Sequence, residues 1–89
     1  MKAVLSVIGQ DRVGIMARIS NECAEYGVNI LDVSQTVLQN MFCMIMICDT
    51  EKLNTEFGVF CEHMESVGKE MNMSVKVMHE DLFNSMHKI

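Results

Sequence analysis

Two glycines, Gly9 and Gly14, bracket a polar turn at residues 10–12, directly after an apolar segment. Glycine allows the backbone to adopt a positive φ and to come close to a bound group. A helix is predicted to open at this turn, and the free N–H groups of a helix N-terminus attract anions. These residue types and their spacing predict a loop that could hold a small carboxylic acid.

A second polar position follows one helix length later, where Gly27 leads into Asn29. At the start of a strand, the Asn29 amide can both donate to a carboxylate and accept from an ammonium group, and an amino acid carries both groups. Structural alternatives stay open. The two glycines can simply serve a tight strand-to-helix turn, Asp11 can be the N-cap of the helix, and Asn29 can cap a turn after Gly27.

The sequence contains no pattern typical of an enzyme or of a cofactor site. No serine or cysteine is paired with a histidine at a recognisable motif spacing, and neither a Walker loop nor a dinucleotide-binding glycine motif is present. The four cysteines form no C-x-x-C pair and lie in apolar segments, which favours buried thiols over disulfides or a metal site. One polar cluster in the tail could also ligate a metal, although a polar helix face is the commoner outcome. It comprises His79, Glu80, Asp81 and His87.

The composition limits the class of protein. A chain of 89 residues, 49% of them hydrophobic, forms one domain with its own core. Its net charge of -5 repels nucleic acid and acidic lipid surfaces. Its apolar runs are far shorter than the roughly 18 residues that span a bilayer, and its first residues show no signal-peptide pattern. We therefore expect a cytoplasmic protein that binds neither nucleic acid nor membrane.

Hydrophobic periodicity predicts the element order β-α-β-β-α-β, followed by a helical tail. Right-handed crossovers place both helices on one face of a four-stranded antiparallel sheet, which is an α+β, ferredoxin-like sandwich. We expect residues 1–79 to form the domain and 80–89 to form a tail packed on the sheet or across a subunit interface. The predicted strands are 3–8, 28–39, 42–49 and 73–79, and the predicted helices are 13–26 and the segment from the cap at Asp49–Glu51 to Met71.

The third strand is apolar on both faces, although the helices can cover only one of them. One of its two alternating sets of side chains therefore forms an exposed patch too large for a monomer, and we predict a homodimer or a larger homo-oligomer. The two sets are Phe42, Met44, Met46 and Cys48, and Cys43, Ile45 and Ile47. The tail residues expected to pack across this interface are Leu82, Phe83, Met86 and Ile89.

These motifs resemble the ACT domain, a small ligand-binding regulatory module of amino-acid metabolism. The resemblance rests on Gly9-x-Asp11-Arg12-x-Gly14-Ile15 and on Gly27-x-Asn29-Ile30-x-Asp32. Both look like the version found in glycine-cleavage regulators and in the leading domain of formyltetrahydrofolate hydrolases. The tail is similar to the ending of stand-alone bacterial and archaeal ACT proteins.

In ACT domains that bind amino acids, the effector lies between the loop after the first strand of one subunit and the start of the second strand in its partner. The resemblance therefore implies a non-enzymatic regulatory homo-oligomer that acts through its interfaces or through a regulated protein partner. Val13 stands where the family often has proline, which implies a less rigid loop. The alternative is a structural protein–protein interaction module with a vestigial ligand loop. The ligand-binding residues that the resemblance implies are Gly9, Gln10, Asp11, Gly14, Ile15, Asn29 and Ile30.

Overall fold

Seven elements follow one another in the described part of the chain, which is residues 1–10 and 13–86 of a computed structural model. The four strands form one antiparallel sheet in the order β2-β3-β1-β4. The predicted α+β, ferredoxin-like order with a helical tail is thus confirmed. The elements are β1 (Lys2–Gln10), α1 (Ile15–Glu25), β2 (Asn29–Leu38), β3 (Met41–Asp49), α2 (Phe57–Glu70), β4 (Met73–His79) and α3 (Glu80–Met86).

The core lies between α1 and α2 and one face of the sheet. Side chains alternate between the two faces of a strand, and the even-numbered set of β3 faces the helices. The odd-numbered set, Cys43, Ile45 and Ile47, therefore lies on the helix-free face. The fully buried core side chains include Leu5, Val7, Ile19, Cys23, Met44, Met46, Cys48, Phe60 and Met64.

α1 begins at Ile15, two residues later than the periodicity predicts. Gly14 is the N-cap and has a φ of 89°, a conformation that L side chains rarely adopt. The proposed cap, Asp11, lies outside the described residues and three positions ahead of this N-cap. Because Gly14 has no side chain, it cannot cap the first-turn N–H groups of α1.

α2 begins at Phe57 instead of directly after the predicted cap at Asp49–Glu51. The intervening residues form a loop over the C-terminal end of α1. The Asn54 backbone N–H donates to the Tyr26 carbonyl (3.0 Å), and the Asn54 side-chain amide donates to the Glu25 carbonyl (2.9 Å). These bonds satisfy carbonyls that a helix end leaves free, which is why this segment is more stable as a loop than as a longer helix.

α3 packs against β1 and β4. Its contact lies on the helix-free face, because Val4, which alternates with the core residue Leu5, is only 1% exposed. Leu82 and Met86 of α3 remain exposed. The fourth predicted tail contact, Ile89, lies outside the described residues.

An ion-pair network joins α1 to α2. The Glu22 carboxylate accepts a hydrogen bond from Arg18 Nε (2.9 Å) and lies 2.6 Å from His63 Nε2. Arg18 also donates to Glu70 (2.9 Å), and the Tyr26 ring lies against His63, with ring centroids 4.8 Å apart. The hydrogen bond with His63, assisted by that with Arg18, holds the pKa of Glu22 below its ordinary value.

We expect Glu22→Gln to reduce the free energy of unfolding by about 1 kcal/mol near neutral pH. Since folding lowers the pKa of Glu22, its ionised form favours the folded state above the unfolded value of 4.5, and this contribution is lost as the pH falls through the folded value. Urea unfolding of both proteins over this range measures the difference, which should shrink below about pH 4.5. Glu62→Gln, on the exposed surface of α2, is the control. A difference that does not change with pH would contradict the assignment.

Candidate functional site

The predicted ligand residues fall into two groups. Asp11 lies outside the described residues, so the structure places six of the seven. The first group is Gly9, Gln10, Gly14 and Ile15, around the turn between β1 and α1, and the second is Asn29 and Ile30, at the start of β2.

The two groups lie at opposite ends of the sheet. At one end, Asn29 is paired with Asp49, and Asp49 is paired with Lys2 at the start of β1. Gln10 is at the other end of β1, about 26 Å away at roughly 3.3 Å per residue. A molecule the size of an amino acid therefore cannot touch both groups within one chain.

One member of the first group, Gln10, borders a shallow cleft of about 320 Å³. Gln10, Val37, Gln39 and Asn40 line it, and Gln10 is exposed. Gln39 and Asn40 form the hairpin turn between β2 and β3, with Gln39 at a φ of 56°. The cleft therefore offers three side-chain amides, each of which can both donate and accept hydrogen bonds.

The other members of this group offer only backbone atoms. The Ile15 side chain is buried in the core. The space that a Cβ at Gly9 would take is filled by Met73, whose Sδ lies 2.5 Å from that position. At Gly14, by contrast, no atom of the described residues lies within 4 Å of that position. Gly9 thus has a packing role, whereas the backbone at Gly14 is open to an approaching group.

One member of the second group, Asn29, borders a larger cleft of about 370 Å³, at the end of the sheet where β2 starts. Exposed Asn29 lines it together with Gly27, Asp49, Glu51 and Lys52. The Asp49 carboxylate is oriented by the Glu51 backbone N–H, which donates to it (2.9 Å). An amide, two carboxylates and an ammonium group can bind both charged ends of a zwitterion.

The sequence patterns gave no indication of Asp49, Glu51 or Lys52 as members of the site. The β2–β3 register pairs Asp49 with Asn29, but this register contains an irregularity between Ile30 and Asp32 that no sequence pattern indicates. Ile30, a predicted ligand residue, packs its side chain against the core and offers only its backbone.

The cysteines are free thiols in the described structure. The expectation of burial is confirmed for Cys23 and Cys48. It is wrong for Cys43 and Cys61, which are both half-buried. Cys43 lies on the helix-free face, and the Cys61 thiol on α2 donates to the Val77 carbonyl (3.8 Å). A hydrogen bond between the two buried thiols lowers the pKa of Cys23 and raises that of Cys48.

Metal ligation and membrane insertion find no support in residues 1–10 and 13–86. Within these residues, no group of three His, Cys, Asp or Glu side chains is placed to hold a metal ion. In the tail cluster, His79 Nδ1 accepts from the Asp81 backbone N–H (3.1 Å), and His87 lies outside the described residues. None of the helices in this part of the chain is long and apolar enough to cross a membrane.

Comparison with known families agrees with the topology. The family model described as the ACT domain matches residues 2–78. The chain belongs to the ACT-domain family. A UPF0237 protein of Methanosarcina mazei is 48% identical to this ACT domain over 86 residues, which are 97% of this chain and 94% of that protein.

Solved structures share the fold of this ACT domain. An ACT domain protein from Streptococcus pneumoniae superposes with a TM-score of 0.82 at 34% identity and covers 93% of each chain. The regulatory subunit of aspartate kinase from Thermus thermophilus has a TM-score of 0.68 at 21% identity, over 89% of this chain and 51% of that one. A putative glycine cleavage system transcriptional repressor and formyltetrahydrofolate deformylases share the fold as well. The resemblance drawn from the sequence is confirmed.

Proposed function

We propose that this ACT domain is a non-enzymatic regulatory module that binds a small ligand of the amino-acid class in a site shared by two chains. The observation that carries the proposal is the position of the two clefts at opposite ends of one sheet. The structural relatives support a regulatory role, since one is a regulatory subunit and another a putative transcriptional repressor. Ligand occupancy would act by changing the assembly or its fit to a protein partner.

Antiparallel pairing of β2 with β2 of a second copy would bring the two clefts together. β2 is an edge strand, and its Leu31 and Val37 are exposed. In such a pair, the start of one β2 lies beside the end of the other. Asn29 of one chain would then approach the hairpin turn and Gln10 of its partner. The paired strands would also cover an edge that is otherwise open to aggregation.

The two clefts offer complementary groups to an amino acid. On the loop side, the side-chain amides of Gln10, Gln39 and Asn40 line the cleft and can donate to a carboxylate. The first-turn N–H groups of α1, which follow the same turn and receive no side-chain cap from Gly14, can also bind one. On the strand side, the Asn29 amide and the Asp49 carboxylate can accept from an ammonium group. A ligand held between them would contact one chain through its negative end and the other through its positive end.

Asn29→Ala is expected to weaken ligand binding several-fold, because it removes a side-chain hydrogen bond worth about 0.5–1.5 kcal/mol. A thermal-shift screen of the common amino acids identifies the ligand, and calorimetry measures its affinity for each variant. Asn21→Ala, at another exposed asparagine, on α1, should bind like the wild type. Equal affinities for wild type and Asn29→Ala would move the site elsewhere. Failure of every amino acid to bind would favour the structural interaction module.

A further inference from the structure

The helix-free face of the sheet is divided into a covered half and an open half. α3 packs over β1 and β4 in the covered half, above the buried Val4. In the open half, toward the hairpin turn, Ile8 is 44% exposed and Ile45 is 37% exposed. Met41 is also exposed and lies on this face, because it has the same parity in β3 as Ile45.

The outer surface of α3 is apolar as well. Leu82 and Met86 are four residues apart, so they lie on the same side of the helix, and they are 54% and 62% exposed. Helices of soluble domains normally bury their apolar side. α3 therefore has a second apolar surface, in addition to the one that packs on its own sheet.

We propose that the helix-free face binds a second, inverted copy of this chain, with α3 of each copy seated in the open half of the other. A helix with its side chains is about 10 Å thick, so α3 forms a step on the face and the open half forms the matching recess. A two-fold axis that lies between the sheets and perpendicular to the strands places each step in the other copy's recess. Ile8 and Ile45 then meet Leu82 and Met86 of the second copy.

The area of the face favours this interlocked arrangement over a flat stack. Four strands about 4.8 Å apart and of about nine residues each make a sheet face of about 570 Å². A stable interface buries about 800 Å² on each partner. The interlocked arrangement adds the sides and outer surface of two α3 helices to the contact, so it buries more surface than a flat stack would.

The distribution of charge over the face also allows a second copy to bind. The two central strands point only uncharged side chains to the middle of this face, among them Ser6, Ile8 and Ile45. Asp32 and Lys76 lie on the outer strands, β2 and β4. Burial of the centre therefore desolvates no charge. The net charge of -5 on each chain opposes association at long range, so the apolar contact must supply the affinity.

This interface uses a different surface from the β2 edge, and it goes beyond the proposed function. The two-fold axis of edge pairing is perpendicular to the sheet, and the axis proposed here lies parallel to it, so the two interfaces can coexist. Together they generate an assembly of four chains with mutually perpendicular two-fold axes.

The test is the mass of the assembly, measured by light scattering and sedimentation. Wild type is expected at about four times the chain mass of 10.1 kDa. Leu82→Asp/Met86→Asp should halve that mass, because it places charges in the contact, and Ile45→Asp on the facing surface should do the same. Asn84→Asp, at an exposed position of α3 away from the Leu82–Met86 side, is the matched control and should leave the mass unchanged. Circular dichroism checks that each variant is folded, and the α3 variant decides the outcome if Ile45→Asp unfolds.

Two further outcomes separate this interface from the proposed function. If the wild type is a dimer and both the α3 variant and Ile45→Asp are monomers, the result supports the face-to-face interface and contradicts the edge pairing. A mass that is the same in wild type and in every variant overturns the face-to-face interface. If that constant mass is that of a dimer, the edge pairing stands, and if it is that of a monomer, both interfaces are excluded.

Discussion

Gly27→Ala is expected to reduce the free energy of unfolding by about 3 kcal/mol, a large part of the stability of a small domain. Gly27 has a φ of 75°, which costs an L side chain about 1–2 kcal/mol. An added Cβ would also overlap the Lys52 carbonyl, and relief of such overlap costs about 1–3 kcal/mol. That carbonyl cannot withdraw freely, because the neighbouring Asn54 is bound to the end of α1. Urea unfolding measures the loss.

Two other glycines are controls for this prediction. At Gly14 the φ is 89° but no atom in residues 1–10 or 13–86 lies near the added Cβ, so Gly14→Ala should show only the conformational cost of about 1–2 kcal/mol. At Gly58 in α2 the space is open and no unusual φ is required, so alanine should stabilise by about 0.5–1 kcal/mol. Equal losses of unfolding free energy for Gly27→Ala and Gly14→Ala would show that the loop carrying Lys52 moves away from the added Cβ at no energetic cost.

Ligand binding is expected to reappear when two variants that each bind weakly are combined in one assembly. Gly14→Val crowds and strains the loop side, and Asn29→Ala/Asp49→Ala removes the strand side, each with a loss of roughly ten-fold or more. In a mixed pair, the unaltered loop of one chain faces the unaltered strand of the other. Co-expression with two different tags isolates the mixed pairs, and calorimetry should find wild-type affinity in half of their sites.

The same mixture tests whether the site lies between chains. A site contained within one chain would be damaged in both variants, so the mixed pairs would bind no better than either variant alone. The matched control is a mixture of Gly14→Val with Asn21→Ala. In this control mixture, one of the two sites combines an unaltered loop with an unaltered strand. That site should keep wild-type affinity, because Asn21 lies outside both clefts.

The fold was predictable because its signals are local. A period of two marks the strands, a period near 3.6 marks the helices, and handedness then determines the arrangement. The start of α2 was not predictable in this way. Leu53 continues the helical spacing back from Phe57, yet it packs against the core from a loop. The loop is determined by the carbonyls at the end of α1, which are distant in sequence and accept the hydrogen bonds of Asn54.

Half of the candidate site depends on one irregularity that no local pattern shows. Counted back from the turn at residues 39–40, regular pairing would place Thr50 opposite Asn29. A β-bulge between Ile30 and Asp32 inserts one residue, so that Asp49 faces Asn29 instead. The bulge thus brings a carboxylate next to the amide, while Thr50 is buried and donates its hydroxyl to the Met1 carbonyl (2.8 Å).

The methionine-rich core has a consequence for side-chain entropy. Burial of a methionine side chain costs about 1.5–2 kcal/mol in lost rotamer freedom, against about 0.5–1 kcal/mol for leucine or isoleucine. This domain therefore opposes its own folding by several kcal/mol more than an aliphatic core of equal volume would. In return, unbranched thioether side chains change rotamer easily and fill irregular space, so the helices can shift over the sheet without opening cavities. The buried methionines of the core are Met44, Met46, Met64, Met71 and Met73.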